Sequence, residues 1–294
     1  MPITSMTDAF KTLSEHRCFG GTQHFCEHDS RETGRPMRFS VFLPPRAAPD
    51  RPVPAVVYLA GLTCNEETFP TKAGAQRLAA ELGLALVAPD TSPRGANVPG
   101  EADSWDFGVG AGFYLDATEA PWAANWRMES WLVAELLPLL GTALPIDTSR
   151  LGVFGHSMGG HGALTLALRH PGVFRSLSAL APICAPMRCP WGEKAFTGYL
   201  GADRTRWVEH DATVLMENQP TAPYPGGILV DQGLDDKFLA AGQLRPELLE
   251  AACAAIGQPL TLRRHAGYDH GYYFVQSVVG DHLAHHARQL GAAA

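Results

Sequence analysis

The sequence predicts an α/β fold: a mainly parallel central sheet, helices on both faces and an antiparallel hairpin at the N-terminus. Three observations predict it. Short apolar runs rich in β-branched residues recur at 54–62, 85–90, 151–157, 176–184 and 226–233, with a last strand at 259–265. Runs of this kind suit strands buried on both faces of a sheet. Segments with helical spacing fall between them, and that alternation implies right-handed crossovers and parallel pairing. Ahead of residue 54 the pattern instead alternates with period two, as antiparallel strands do.

Taken in order, Gln23–His28 and Met37–Leu43 are the alternating segments, and Ser30, Arg31 and Gly34 form the turn between them. PPRAAPDRP (44–52) is a proline-rich surface loop. PAVVYLAGL (54–62) is the first buried parallel strand. Residues 71–82 have helical spacing, and Gly83 stops them. ALVAPD (85–90) is the next strand. Residues 91–120 are rich in Gly, Pro, Asp and aromatics and read as one long loop, a length that is uncommon unless the loop has a function. An apolar helix covers 127–141. LGVFGHS (151–157) is a strand, followed by the small-residue helix GGHGALTLALRH. The strands at 176–184 and 226–233, a helix over roughly 241–256, the strand PLTLRRH and a closing helix complete the chain.

The 294 residues are 46% hydrophobic and 18% charged, ordinary values for a chain with a sizeable core. No linker or repeat divides them, so a single domain spanning 1–294 is expected even though the length would accommodate two. The net charge of −7 disfavours nucleic acid and anionic membranes as partners, while leaving an acidic small molecule open. Cys18, Cys26, Cys64, Cys184, Cys189 and Cys253 are sparse and unpaired in spacing, as in a reduced cytoplasmic protein. The N-terminal residues lack signal-peptide character, and no run is long enough to span a bilayer.

GHSMG (155–159) matches G-x-S-x-G. The motif is short, but here it follows an apolar strand and opens a helix, the setting of a nucleophile elbow. Ser157 is therefore the expected nucleophile on an α/β-hydrolase fold. The strained turn leaves no room for bulk beside the serine, hence Gly155, Gly159 and Gly160. On this fold an acid and then a histidine follow in later loops. DQGLDDKFL (231–239) offers Asp236 as the acid, with Asp235 as its nearest rival. Asp231, at the strand end, is expected to fix the turn. HAGYDHGYYF (265–274) offers His270 as general base. His265 is less well placed, and Asp269 is an alternative acid. The oxyanion donors expected are the backbone N–H groups of Met158, after the nucleophile, and Leu62, in the loop LAGLTCNEETF.

With those residues in view, the sequence resembles the S-formylglutathione hydrolase (esterase D) family over nearly its whole length. The matching segments are GLTCNEETF, APDTSPRG, GAGFYLDAT, GHSMGGHGAL, WGEKAFTGYLG, DQGLDDKFL and GYDHGYYF. The resemblance implies hydrolysis of the thioester S-formylglutathione to formate and glutathione in formaldehyde detoxification; no cofactor or metal is expected, for want of clustered ligands. It implies a triad of Ser157, Asp236 and His270 and oxyanion donors at Leu62 and Met158. Ala60 stands where the family often has Ser, a departure that leaves the triad untouched.

A formyl group needs little room, whereas glutathione needs an adjoining cleft. Trp105, Phe113 and Tyr114 of the 91–120 loop are candidates for its wall, with core packing as the alternative. Lys194 is a candidate for a glutathione carboxylate, or else is solvated. Cys64 is either a thiol near the nucleophile that senses oxidation or an inert buried cysteine. His282, His285 and His286 share one helix without acidic or thiol partners, so a solvated face is expected rather than a metal site. The partner expected is the small-molecule thioester, and a homodimer is the candidate assembly. Two other functions fit the same residues, a broad short-chain carboxylesterase and an inactive scaffold that binds a ligand.

Overall fold

A computed structural model describes residues 9–292. One nine-stranded sheet runs through them in the order β1-β2-β3-β5-β4-β6-β7-β8-β9. β1 (Lys11–Cys18), β2 (Gly21–Asp29) and β3 (Pro36–Leu43) are antiparallel, and β3 pairs antiparallel with β5 (Ala85–Pro89). From β5 the sheet is parallel, through β4 (Val53–Leu59), β6 (Ile146–His156), β7 (Ser176–Leu180), β8 (Ile228–Gly233) and β9 (Leu260–His265). Every residue of β4, β5, β7 and β8 is buried, which is why these segments read as unbroken apolar runs.

The helices are α1 (Thr68–Lys72), α2 (Gln76–Leu82), α3 (Met128–Ser130), α4 (Leu137–Ala143), α5 (Met158–Arg169), α6 (Pro190–Leu200), α7 (Ala212–Glu217), α8 (Lys237–Ala240), α9 (Pro246–Ala255) and α10 (Tyr272–Leu290). A π-helical segment, Trp131–Leu136, joins α3 to α4 into the continuous helix expected near 127–141. The helix expected at 71–82 is two, broken at Gly74, whose φ is 65°. α5 and α10 both pack on β6 and β7, covering opposite faces of the sheet.

Two parts of the architecture were not assigned from sequence. β1, KTLSEHRC, is largely exposed and has no apolar alternation; its partner β2 holds it through the ladder and through surface contacts such as Glu15–His24 and Arg17–Thr22. Residues 185–225 hold α6 and α7, and α7 packs against α5 and α9. The 91–120 segment is a loop, as expected, pinned by isolated bridges such as Ser104–Phe107 and Gly108–Ala111. Among the described residues no helix is long and apolar enough to cross a membrane.

His282, His285 and His286 do not form a solvated face. All three are buried. His286 bonds Ser176 Oγ (2.6 Å) and Ser178 Oγ (2.9 Å), and His282 bonds Ser178 Oγ (2.8 Å) and Asp231 Oδ2 (3.0 Å). His285 bonds the Leu177 carbonyl at 3.1 Å. Three histidines on one helix without ligand-spaced Cys, Glu or Asp read as external; Ser176 and Ser178 on β7, Asp231 on β8 and the Leu177 carbonyl are what make them internal. Asp231 does not fix a turn either. Its carboxylate is fully buried in β8 and accepts from Arg263, His265 and His282, tying β8 to β9 and α10.

Candidate active site

The elbow is built by crowding. β6 delivers the chain to Ser157, and α5 begins at Met158. Ser157 has φ 59° and ψ −119°, a strained conformation of the kind that costs about 1–3 kcal/mol and persists only where its surroundings enforce it. The enforcement comes from close backbone approach. A Cβ on Gly159 would lie 1.9 Å from the Leu59 carbonyl oxygen, and one on Gly155 would lie 2.2 Å from that of Gly159. Ser157 N–H donates to the Leu180 carbonyl (2.9 Å), fixing the turn to β7.

The acid and base loops meet at the same end of the sheet. Asp236 caps α8, its Oδ1 accepting from the N–H groups of Phe238 (2.7 Å) and Leu239 (3.3 Å). Its Oδ2 bonds His270 Nδ1 at 2.5 Å and accepts from Gln232 Nε2 at 3.1 Å. Burial acts to raise the Asp236 pKa, but the hydrogen bond and charge of His270 outweigh it and the net shift is downward. Asp236 therefore stays ionised, with the imidazole Nδ1 engaged and Nε2 left for the cleft. Asp235 is exposed, and only its N–H is used locally, donating to the Tyr268 carbonyl (2.9 Å). Asp269 accepts from Gly271 N–H in its own turn (2.8 Å). His265 belongs to the Asp231 network.

Ser157 and His270 line one cleft of about 290 Å³, together with Leu62, Cys64, Trp105 and Trp191. Gly61 places the following loop against Ser157: a Cβ there would be 3.2 Å from Ser157 Cβ. Leu62 N–H has no hydrogen-bond partner among the described residues, and Met158 N–H, first in α5, has no intrahelical acceptor by the geometry of a helix start. Both expected donors thus lie beside the serine with free N–H groups. A larger cleft, about 440 Å³, lies against β8, β9 and α10, but it contains no nucleophile, so volume does not locate the chemistry.

His156 was not singled out from sequence. It is buried, its ring centroid is 4.5 Å from that of His270, and neither ring nitrogen has a partner. Burial, then the charge of His270, pushes its imidazole well below the ordinary histidine range, so it packs as a neutral ring behind the base. Phe238 meets His270 edge-on at 4.8 Å from the other side.

The expected cleft wall divides. Trp105 is more than half exposed, lines the cleft and meets Trp191 edge-on at 5.8 Å. Phe113 and Tyr114 do not line it. Both are buried beneath α5, with Tyr114 Oη donating to the Ala60 carbonyl (2.8 Å) and the Phe113 carbonyl bonding His161 (3.1 Å). Lys194 also lies outside the lining. It is held by Ser104 (2.7 Å) and by a close ion pair with Asp106. Cys64 lines the cleft, but burial pushes its thiol pKa up despite hydrogen bonds from Thr68 and Tyr272, which disfavours a reactive thiolate. No group of three or more His, Cys, Asp or Glu side chains is arranged to hold a metal among the described residues.

The fold and this cleft define the class: a serine hydrolase of the α/β-hydrolase fold. An esterase family model ("Putative esterase") matches residues 30–288. The S-formylglutathione hydrolase of Mus musculus is 52% identical over 287 residues, covering 97% of this chain and 100% of its own. That of Paracoccus denitrificans is 50% identical, again over 97% of this chain and 100% of its own. The solved structure of an S-formylglutathione hydrolase from Agrobacterium tumefaciens superposes with a TM-score of 0.92 at 47% identity, covering 96% of this chain and 100% of that one. The chain belongs to the S-formylglutathione hydrolase family.

Proposed function

We propose that the chain hydrolyses S-formylglutathione to formate and glutathione through a formyl-enzyme, as a single catalytic domain. The observation that carries the chemistry is the 2.5 Å Asp236–His270 hydrogen bond at the cleft that Ser157 lines. His270 Nε2 takes the Ser157 proton as Oγ attacks the formyl carbon. The carbonyl oxygen becomes an oxyanion facing the Leu62 and Met158 N–H groups, which cost no reorganisation because they are already free. Collapse breaks the C–S bond, and the imidazolium returns its proton to the leaving sulfur. Water, deprotonated by His270, then releases formate from Ser157. Asp236 holds the imidazole tautomer and stabilises the cation.

The substrate follows from relatives about half identical over their whole lengths that carry that activity in their names. Formaldehyde detoxification in the cytoplasm is the setting that fits this chemistry, and six free cysteines, Cys64 in the cleft among them, suit a reducing compartment. The test compares kcat/KM for S-formylglutathione, S-acetylglutathione, S-butyrylglutathione and p-nitrophenyl esters. In a site sized for formyl, each added methylene costs about 1–3 kcal/mol of overpacking, or about 5- to 150-fold in rate. Formyl is expected to lead, acetyl to follow and butyryl to be slowest. Values that stay level or rise toward butyryl would make the chain a broad carboxylesterase.

A further inference from the structure

We propose that Lys72 recognises a carboxylate of the glutathione moiety and sets the preference for a peptide thioester over a neutral one. The proposal rests on the glutathione reading above. Lys72 lines the cleft, and no Asp, Glu or Arg joins it there. Its Nζ makes no hydrogen bond or ion pair among the described residues; its contact is the face of Tyr272, 5.7 Å from the ring centroid. Lys194, by contrast, is already neutralised by Asp106.

The mount is rigid. Lys72 is the last residue of α1, and Phe69 of that helix is buried and stacks on Tyr58 at 3.8 Å. Tyr58 Oη in turn meets Tyr272 Oη at 3.2 Å. One buried tyrosine thus fixes both the helix that carries the ammonium and the ring beneath it. The rest of the lining is aromatic, apolar or neutral, so among the described residues the ammonium is the one permanent charge the cleft offers a ligand. Glutathione carries a carboxylate on the residue to either side of its reacting cysteine. A chain of net charge −7 repels such an anion at long range, and a local cation at the mouth reverses that. Lys237 also lies near, with Nζ over Phe238 at 4.9 Å, but it does not line the cleft.

The experiment measures kcat/KM on S-formylglutathione and on the formyl thioester of N-acetylcysteamine, which has no charge, for wild type, Lys72→Met, Lys72→Arg, Lys72→Glu and Lys237→Met. The readout is the ratio of the two substrates. An exposed ion pair predicts that Lys72→Met lowers the ratio about two- to fivefold, mainly through KM, and Lys72→Glu more. Lys72→Arg is expected to keep it, and added salt to lower it in wild type but not in Lys72→Met. An unchanged ratio in Lys72→Met, an equal loss in Lys72→Arg, or a loss in Lys237→Met alone overturns the role of Lys72. A wild type that shows no preference between the two thioesters removes glutathione recognition itself, and Lys72 with it. A clear wild-type preference kept by Lys72→Met removes only Lys72.

Discussion

Asp236 does two jobs with two oxygens, and one substitution separates them. Oδ1 caps α8 and Oδ2 engages His270. Asparagine at 236 keeps an oxygen for the cap but turns the other atom into a donor, which favours the wrong imidazole tautomer. Asp236→Asn is expected to lower kcat by about 10³- to 10⁴-fold with little change in melting temperature. Asp235→Asn, at an exposed side chain, is expected to stay within about twofold. Steady-state kinetics on both variants checks this, and a larger loss at 235 would move the acid by one residue. Ser157 was legible because the elbow needs glycines at fixed offsets. Phe113 and Tyr114 were not, because a loop gives no periodicity to say which way a side chain points. Both take positive φ, and that conformation turns them under α5 instead of toward the cleft.

Between the elements, β7, β8, β9 and α10 are joined by a buried polar chain rather than by apolar packing alone. A single set of tautomers satisfies it. Ser176 Oγ–H donates to His286 Nδ1, His286 Nε2–H to Ser178, Ser178 Oγ–H to His282 Nδ1, and His282 Nε2–H to Asp231. Burial alone would raise the Asp231 pKa, but His282, Arg263 and His265 together hold the carboxyl well below the ordinary range. Asp231→Asn removes the buried carboxylate that Arg263, His265 and His282 share, leaving Arg263 only its more exposed partner Asp281, and weakens the chain at its end. Losing one member of a buried pair costs about 3–5 kcal/mol; Arg263 is a third exposed and keeps Asp281, so a loss of about 2–3 kcal/mol is expected. Urea denaturation would measure it as a lower midpoint at constant slope.

Across the whole molecule, burial of neutral histidines couples stability to pH. Burial pushes His156 and His286 well below the ordinary range, His161 and His285 to about 4, and His210 to about 3. Unfolded histidine titrates near about 6.5. Folded values lie below that, so the unfolded chain binds more protons as pH falls through 6.5, and stability that is complete above 6.5 is lost on acidification. Glu66, raised by burial to about 6, opposes this by one proton. A net uptake of at least about two protons at pH 5.5 is expected, with the melting temperature falling about 5–10 °C between pH 7 and 5.5. Calorimetry in buffers of different ionisation enthalpy reads both quantities. A melting temperature that rises over that window would contradict neutral burial.

The sequence by itself determined the sheet's buried strands, the serine elbow and the order of acid and base. Each rests on a local pattern: unbroken apolar runs, glycines such as Gly155 and Gly159 where backbone would lie 1.9–2.2 Å from a Cβ, and chain order on a parallel sheet. Only the tertiary structure decided what faces what. It turned His282 and His286 inward onto serines and a carboxylate of β7 and β8, partners more than 50 residues away in sequence, and His285 onto the Leu177 carbonyl. It matched Lys194 to Asp106, 88 residues away, and left Lys72 unmatched at the cleft. Charge pairing across such separations has no local signature, because it depends on which loops the sheet brings to the same edge.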